Sequence, residues 1–147
     1  MIGLIQRVSE AKVVVNNECV GEIQQGVLAF IGVEKEDSKE QASRLLDKIL
    51  SYRIFSDAED KMNLSVKDIN GGLLLVPQFT LAADTQKGSR PSFSCAASPE
   101  NAEILFNQLV EQANSKYQIV QTGQFGADMK ISLLNDGPVT FWLQVKK

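Results

Sequence analysis

Only two segments of this chain place apolar residues at helical spacing, and that shortage governs what it can fold into. Ala42, Leu45, Leu46, Ile49 and Leu50 share one face behind the capping pair Asp37-Ser38, and that helix ends near Tyr52. Ala102, Leu105, Phe106, Leu109, Val110 and Ala113 do the same behind Ser98-Pro99-Glu100. There a capping serine, a first-turn proline and an acid stand in the order of a helix start. Two helices can cover only part of the sheet that the remaining residues predict. A second layer of sheet, or a partner chain, must cover the rest.

The remaining segments read mainly as strands. Residues 2–9 and 11–15 are rich in Val and Ile, and Asn16-Asn17-Glu18 is a turn signal. Strands follow at 19–23 and 27–33, the second apolar almost throughout, as a strand buried on both faces would be. Arg53-Ile54-Phe55 predicts a short strand, and the polar residues 56–72 a surface loop with a short hairpin. Leu73 to Leu81 is an apolar strand interrupted by Pro77, and residues 82–97 form an ordered loop. Three strands close the chain at 117–122, 128–134 and 139–145, the last two joined by a turn at Asn135-Asp136-Gly137. The order is ββββ-α-β-β-α-βββ. It predicts a single compact α/β domain over residues 1–147, with mixed, largely antiparallel β layers and two covering helices.

Composition excludes several kinds of chemistry. The 147 residues contain no histidine, which removes Ser-His-Asp and Cys-His catalysis and most zinc sites. Cys19 and Cys95 are too far apart in sequence for a C-x-x-C site and read as small, partly buried thiols. Asp57-Ala58-Glu59-Asp60 lacks the calcium-loop pattern, so neither a metal nor a cofactor is expected. No stretch approaches the roughly 20 apolar residues of a membrane helix, and no basic segment precedes the first apolar run. No membrane partner is expected, and cytoplasm is the default compartment. The net charge of -3 argues against a long grip on duplex nucleic acid, DNA included. Brief contact with a single-stranded end is compatible with it.

Three stretches could hold chemistry. VPQFTLAADT, residues 76–85, carries Gln78 and Thr80 two apart beside Pro77. It reads either as an edge strand with two solvent-facing polar groups, or as a pocket with an amide, a hydroxyl and freed backbone donors. NDGPVT, residues 135–140, reads either as a hairpin turn closed by proline or as a rigid turn presenting carbonyls outward. KGSRPSF, residues 87–93, is a solvated loop or a phosphate contact. Arg7 is a charge on an apolar strand that either faces solvent or braces another element.

These residues carry a resemblance. MIGLIQRVSEAKVVV, YRIFSDAEDKMNL, QFTLAADTQKGSRPSFS and ADMKISLLNDGPVTFWLQV resemble the D-aminoacyl-tRNA deacylase family, also called D-tyrosyl-tRNA deacylase, nearly end to end. The resemblance implies hydrolysis of the ester between a D-amino acid and the 3′ end of tRNA, with glycyl-tRNA also a substrate. It implies a homodimer with active sites at the interface. Gln78, Phe79 and Thr80 become the catalytic segment, with backbone N–H groups near Phe79 for the oxyanion and the substrate's 2′-hydroxyl helping to activate water. Gly137-Pro138 becomes a cis chiral filter reaching into the partner's pocket, supported by Arg7. Met129 and Phe125 become the adenosine-binding groups. The chain departs from the family at Pro77, where serine is usual. A non-catalytic dimeric module for RNA ends or proteins, on the same fold, is the alternative.

Overall fold

The computed structural model describes residues 1–147. Its elements are β1 (Ile2–Val15), β2 (Glu18–Ile23), β3 (Gly26–Gly32), α1 (Lys39–Ser51), β4 (Phe55–Ser56), β5 (Met62–Leu64), β6 (Gly72–Pro77), a 3-10 turn (Phe79–Ala82), α2 (Pro99–Lys116), β7 (Val120–Thr122) and β8 (Lys130–Gln144). Strands β2-β1-β3-β6-β7 lie in that order, and β8 pairs along β1. The β1 pairings are antiparallel, whereas β3, β6 and β7 run parallel, joined by crossovers that contain the two helices. The sheet is therefore mixed, as expected. The short strand expected at residues 53–55 forms instead at Phe55–Ser56, where it is β4 and pairs with β5 in a small hairpin that begins one residue before the expected 56–72 loop.

Both helices start as their sequences dictate. Ser38 caps α1 in a reciprocal box with Gln41, and the Ser98 hydroxyl accepts from Asn101 N–H at the head of α2. The predicted stripes are buried, save that Val110 is only half-buried. They pack on one face of the sheet against Val27, Ala29, Ile31, Leu73 and Leu75. The alternate residues Leu28, Leu74 and Val76 point to the other face. Each large side chain buried this way contributes about 1.5–3 kcal/mol.

That second face is covered by the sheet itself. β1 and β2 curl over it, bringing Val8, Ala11, Val13, Val15 and Ile23 onto Leu28, Leu74 and Val76, with Ile131 and Leu133 of β8 at the margin. The curl brings the two ends of the strand order together. A Cβ on Gly21 of β2 would lie 2.5 Å from the Thr122 carbonyl oxygen of β7. Only a residue without a side chain fits there.

Four local expectations are corrected. Residues 2–15 form one strand, because β1 continues through Ser9-Glu10 while its partner changes from β3 to β2. Residues 130–144 are likewise one strand, so Asn135-Asp136-Gly137 is no hairpin turn. The strand expected from Leu73 to Leu81 stops at Pro77 and gives way to the 3-10 turn, and β6 lies between β3 and β7 instead of at an edge. Cys19 and Cys95 are exposed, one on the outer strand β2 and one on the 83–98 connection, where no core reaches them. No helix is long and apolar enough to cross a membrane.

The N-terminal ammonium is buried against Glu34 at 3.0 Å, Asp37 at 2.6 Å and the Val145 carbonyl at 2.7 Å. Burial alone would push Glu34 up. The hydrogen bonds from the ammonium and Gln144 outweigh it and hold the carboxyl below its ordinary value of 4.5. A folded-state value below the unfolded one stabilises fully above about pH 4.5 and is lost as pH falls through the folded value. Glu34→Gln is therefore expected to lower Tm at neutral pH by about 2–4 °C, what about 1 kcal/mol produces in a domain of this size. Calorimetry should show the gap to wild type closing as the pH is lowered below about 4.

Candidate active site

The three parallel strands β3, β6 and β7 end side by side. Open α/β sheets bind ligands outside the carboxyl ends of such strands. A cavity of about 380 Å³ lies there, floored by Ile31 and Val33 at the end of β3 and by Pro77, Gln78 and Phe79 at the end of β6. Phe125, Gly126, Ala127 and Met129 follow β7 into its wall, and Ala97, Pro99, Ala102 and Phe106 close it from the head of α2. The lining is mostly apolar and suits a flat, weakly polar group.

Gln78 N–H donates to the Ile31 carbonyl at 2.8 Å, so position 77 faces the opposite edge of β6. There β7 has already ended, its last pair being Leu75 with Thr122. Pro77 therefore removes no ladder hydrogen bond, and its ring instead lines the cavity. Beyond it the chain tightens into the 3-10 turn, whose first N–H groups have no intrahelical partner. The N–H groups of Phe79 and Thr80 meet no acceptor in the chain. Two backbone donors thus stand free at the cavity mouth.

Thr80 is poorly placed as a nucleophile. Its hydroxyl accepts from the Gln78 side-chain amide, and Asp84, the nearest acid in sequence, spends a carboxylate oxygen on Gln86 N–H at 2.9 Å. The groups whose titration is displaced, Glu34, Asp57, Asp68 and Tyr117, all lie outside the cavity lining. Met129 is held in the wall by Gln124 N–H, 3.4 Å from its sulfur, and by the absence of a side chain at Gly123. A Cβ there would lie 2.8 Å from that sulfur. Sequence reading missed Gly123, since nothing local marks a glycine whose neighbour arrives from six residues on.

Gly137-Pro138 does not line this cavity. It belongs to a bulge in β8. Gln6 pairs with Thr140 and Val8 with Asn135, so Arg7 alone on β1 faces Asp136, Gly137, Pro138 and Val139. The surplus loops outward and is exposed up to Val139, and its Gly137-Pro138 bond is cis. Asn135 closes the loop, accepting from Val139 N–H at 2.9 Å and donating to the Thr140 hydroxyl at 3.0 Å. Arg7 braces it from below, donating to the Asp136 carbonyl at 2.9 Å and to the Ile54 carbonyl at 2.8 Å. Gly137 has φ +145, and a Cβ there would meet Val139 at 2.6 Å. The expected site residues thus fall into two groups. Gln78, Phe79, Phe125 and Met129 share the cavity, with Thr80 bonded to Gln78, while Arg7, Gly137 and Pro138 lie on β1 and β8.

A strand-end cavity with free backbone donors, and no imidazole or clustered carboxylates, defines a small α/β protein whose candidate site offers main-chain donors. Comparison with known proteins specifies it further. The profile of the D-Tyr-tRNA(Tyr) deacylase family matches residues 4–144, and the chain belongs to that family. It is 60% identical to a D-aminoacyl-tRNA deacylase of Photorhabdus laumondii over 145 residues, covering 99% of this chain and 100% of that one. It is 57% identical to the Escherichia coli K12 protein of the same name, with the same coverage. Among solved structures, the c-Myc DNA Unwinding Element Binding Protein superposes with a TM-score of 0.95 at 35% identity, covering 100% of both chains. A probable eukaryotic D-amino acid tRNA deacylase superposes at 0.82 with 16% identity, covering 98% of both, a likeness of fold alone.

Arg7 holds two carbonyls in divergent directions, which a single ammonium cannot reproduce. Arg7→Lys is expected to destabilise the fold by about 1 kcal/mol, the cost of losing one of the two contacts, with the part-buried Ile54 carbonyl the costlier to leave unsatisfied. The check is a urea midpoint that falls while the denaturant slope stays unchanged.

Proposed function

We propose that this chain is a D-aminoacyl-tRNA deacylase, a carboxylic ester hydrolase acting at the 3′ end of tRNA. Water adds to the ester carbonyl carbon. The carbonyl π pair moves onto oxygen, then returns as the C–O bond to the ribose breaks, and the ribose oxygen leaves with the bonding pair and takes up a proton from the water. A D-amino acid and free tRNA leave. Family membership supports the activity. The observation that carries the mechanism is the pair of unpartnered N–H groups at Phe79 and Thr80, at the mouth of the apolar cavity.

Those donors suit the oxyanion that forms on attack. One such donor is worth about 2.7–4 kcal/mol in the transition state. An aminoacyl ester is already activated, so no strong base is required, and the neighbouring ribose hydroxyl helps activate the water. Phe125 and Met129 hold the terminal adenosine in the cavity. Gln78 and Thr80 fix the turn that aims the donors. In this reading Pro77 is harmless, because the site uses the donors after it.

Chiral selection falls to the Gly137-Pro138 bulge. It cannot act on the cavity of its own chain, so a second copy must present it, which calls for a homodimer with sites at the interface. Backbone carbonyls on a braced bulge cannot swing aside as a side chain can. They exclude an L-side chain, pass a D-side chain, and pass glycine, which has none. The reading places the protein in the cytoplasm, where charged tRNA is used, without metal or cofactor. The acidic net charge disfavours an extended duplex as the ligand.

The deciding experiment is hydrolysis of D-tyrosyl-tRNA beside L-tyrosyl-tRNA and glycyl-tRNA, with chelator present. Release from the D and glycyl substrates only is expected. Release from all three would remove the chiral filter, and binding without turnover would favour the adaptor reading. The adenosine assignment has its own check. Gly123→Ala is expected to raise KM several-fold with little change in kcat, by pushing the Met129 sulfur into the cavity. In a Met129→Ala background the same change should cost almost nothing, so the two effects are non-additive.

A further inference from the structure

Beside the cavity mouth lies a feature that the hydrolytic step does not use. Phe79 and Phe93 are 62% and 41% exposed, and their ring centroids lie 5.1 Å apart. Two large aromatic rings left side by side in solvent mark a binding surface more often than chance. Phe79 also lines the cavity, so the pair continues its wall outward. Phe93 sits on a pinned loop. Asp84 and Ser92 exchange backbone hydrogen bonds at 2.7 and 3.1 Å, and the Asp84 carboxylate holds Gln86 N–H. Below the pair, Lys35 N–H binds the Cys95 carbonyl and Ala97 N–H binds the Val33 carbonyl, both at 3.0 Å.

The tip of this loop is cationic. Lys87 and Arg90 are exposed, and neither forms an ion pair. No acid occurs between Asp84 and Glu100, in a chain whose net charge is -3. A stacking surface and free cations on one ordered loop match the two parts of a single-stranded nucleotide, its base and its phosphate.

We propose that Phe93, Lys87 and Arg90 form a second nucleotide subsite, which stacks the base and holds the phosphate of the RNA nucleotide preceding the terminal adenosine. The proposal rests on the function proposed above, because occupancy of the cavity by the terminal nucleoside is what brings the preceding one to this loop. RNA is favoured over a protein partner by the charge. A phosphodiester complements two unpaired cations, and the aromatic pair is continuous with a nucleoside cavity. The subsite gives grip on the single-stranded end without contact with the duplex stem, in keeping with the acidic chain.

The test compares two substrates, D-tyrosyl-tRNA and 3′-O-D-tyrosyl-adenosine, which lacks the preceding base and phosphate. Phe93→Ala is expected to lower kcat/KM on the tRNA by about tenfold. Lys87→Gln with Arg90→Gln should lower it too, and should flatten the log–log salt dependence of tRNA binding by about 0.7, the share of the one phosphate lost. All these variants should match wild type on the adenosine ester. Equal losses on both substrates, or no loss on tRNA, would overturn the subsite. A fall in sedimenting mass in any variant would also overturn it, by making this face a contact between copies. Wild-type protein inactive on both substrates would strike the proposed function instead, and the subsite would then be judged on the salt slope of tRNA binding alone.

Discussion

The structure depends on the double pairing of β1. One edge of this strand meets β3 and then β2, and the other meets β8 along almost its whole length. A central strand held on both edges cannot slip by one residue without turning its core face to solvent. Four residues of β8 stand opposite Arg7 where one would pair, so the three extra cannot be absorbed by sliding and must leave the sheet. The bulge that presents Gly137-Pro138 is thus a consequence of register. Arg7 is the one β1 residue facing it, and its two carbonyl contacts tie the bulge to the segment before β4. A flexible turn of the same sequence at a hairpin tip would have no such brace.

The cavity arises from a separate constraint. Parallel β3, β6 and β7 must be joined by crossovers, and the helices of those crossovers cover one face only. The other face is covered by curling, which brings Gly21 close to Thr122. At the carboxyl ends of the parallel strands neither helix nor curl fills the space, and the head of α2 closes it only in part. The 3-10 turn after Pro77 then leaves backbone donors at the mouth. A chain without histidine still acquires free polar groups beside an apolar cavity, because main-chain N–H groups are available wherever a ladder ends without a partner.

What was legible in the sequence follows from the range of each interaction. Both helices, their caps and their buried stripes were readable, since spacing and capping are local. The turn-like chemistry of Asn135-Asp136-Gly137 was also read, but it pointed to a hairpin. That the chain resumes the same strand beyond the bulge depends on β1, more than a hundred residues away. Ser9-Glu10 looked like a break for a related reason. Both are exposed where β1 changes partner, and the alternation loses its phase there. Pro77 suggested an edge strand, because sequence cannot tell an unpartnered edge from a central strand whose neighbour stops short. The site residues themselves were named largely through family likeness. Their separation into two groups, and the role of Gly123, required coordinates.

This division explains which substitutions the site should tolerate. If catalysis uses the N–H groups of Phe79 and Thr80, and selection uses carbonyls of the bulge, both working surfaces are main chain. A side chain beside them can then change without altering the reacting groups, as long as backbone geometry is kept. Pro77 meets that condition, because its ring replaces an N–H that had no partner and fixes φ at the entrance to the turn. Gly137 does not meet it, since any Cβ there collides with Val139. Arg7 does not meet it either, since the bulge carbonyl leans on its guanidinium. Dependence in such a site lies less with the residues nearest the substrate than with those that set register, close approach and brace.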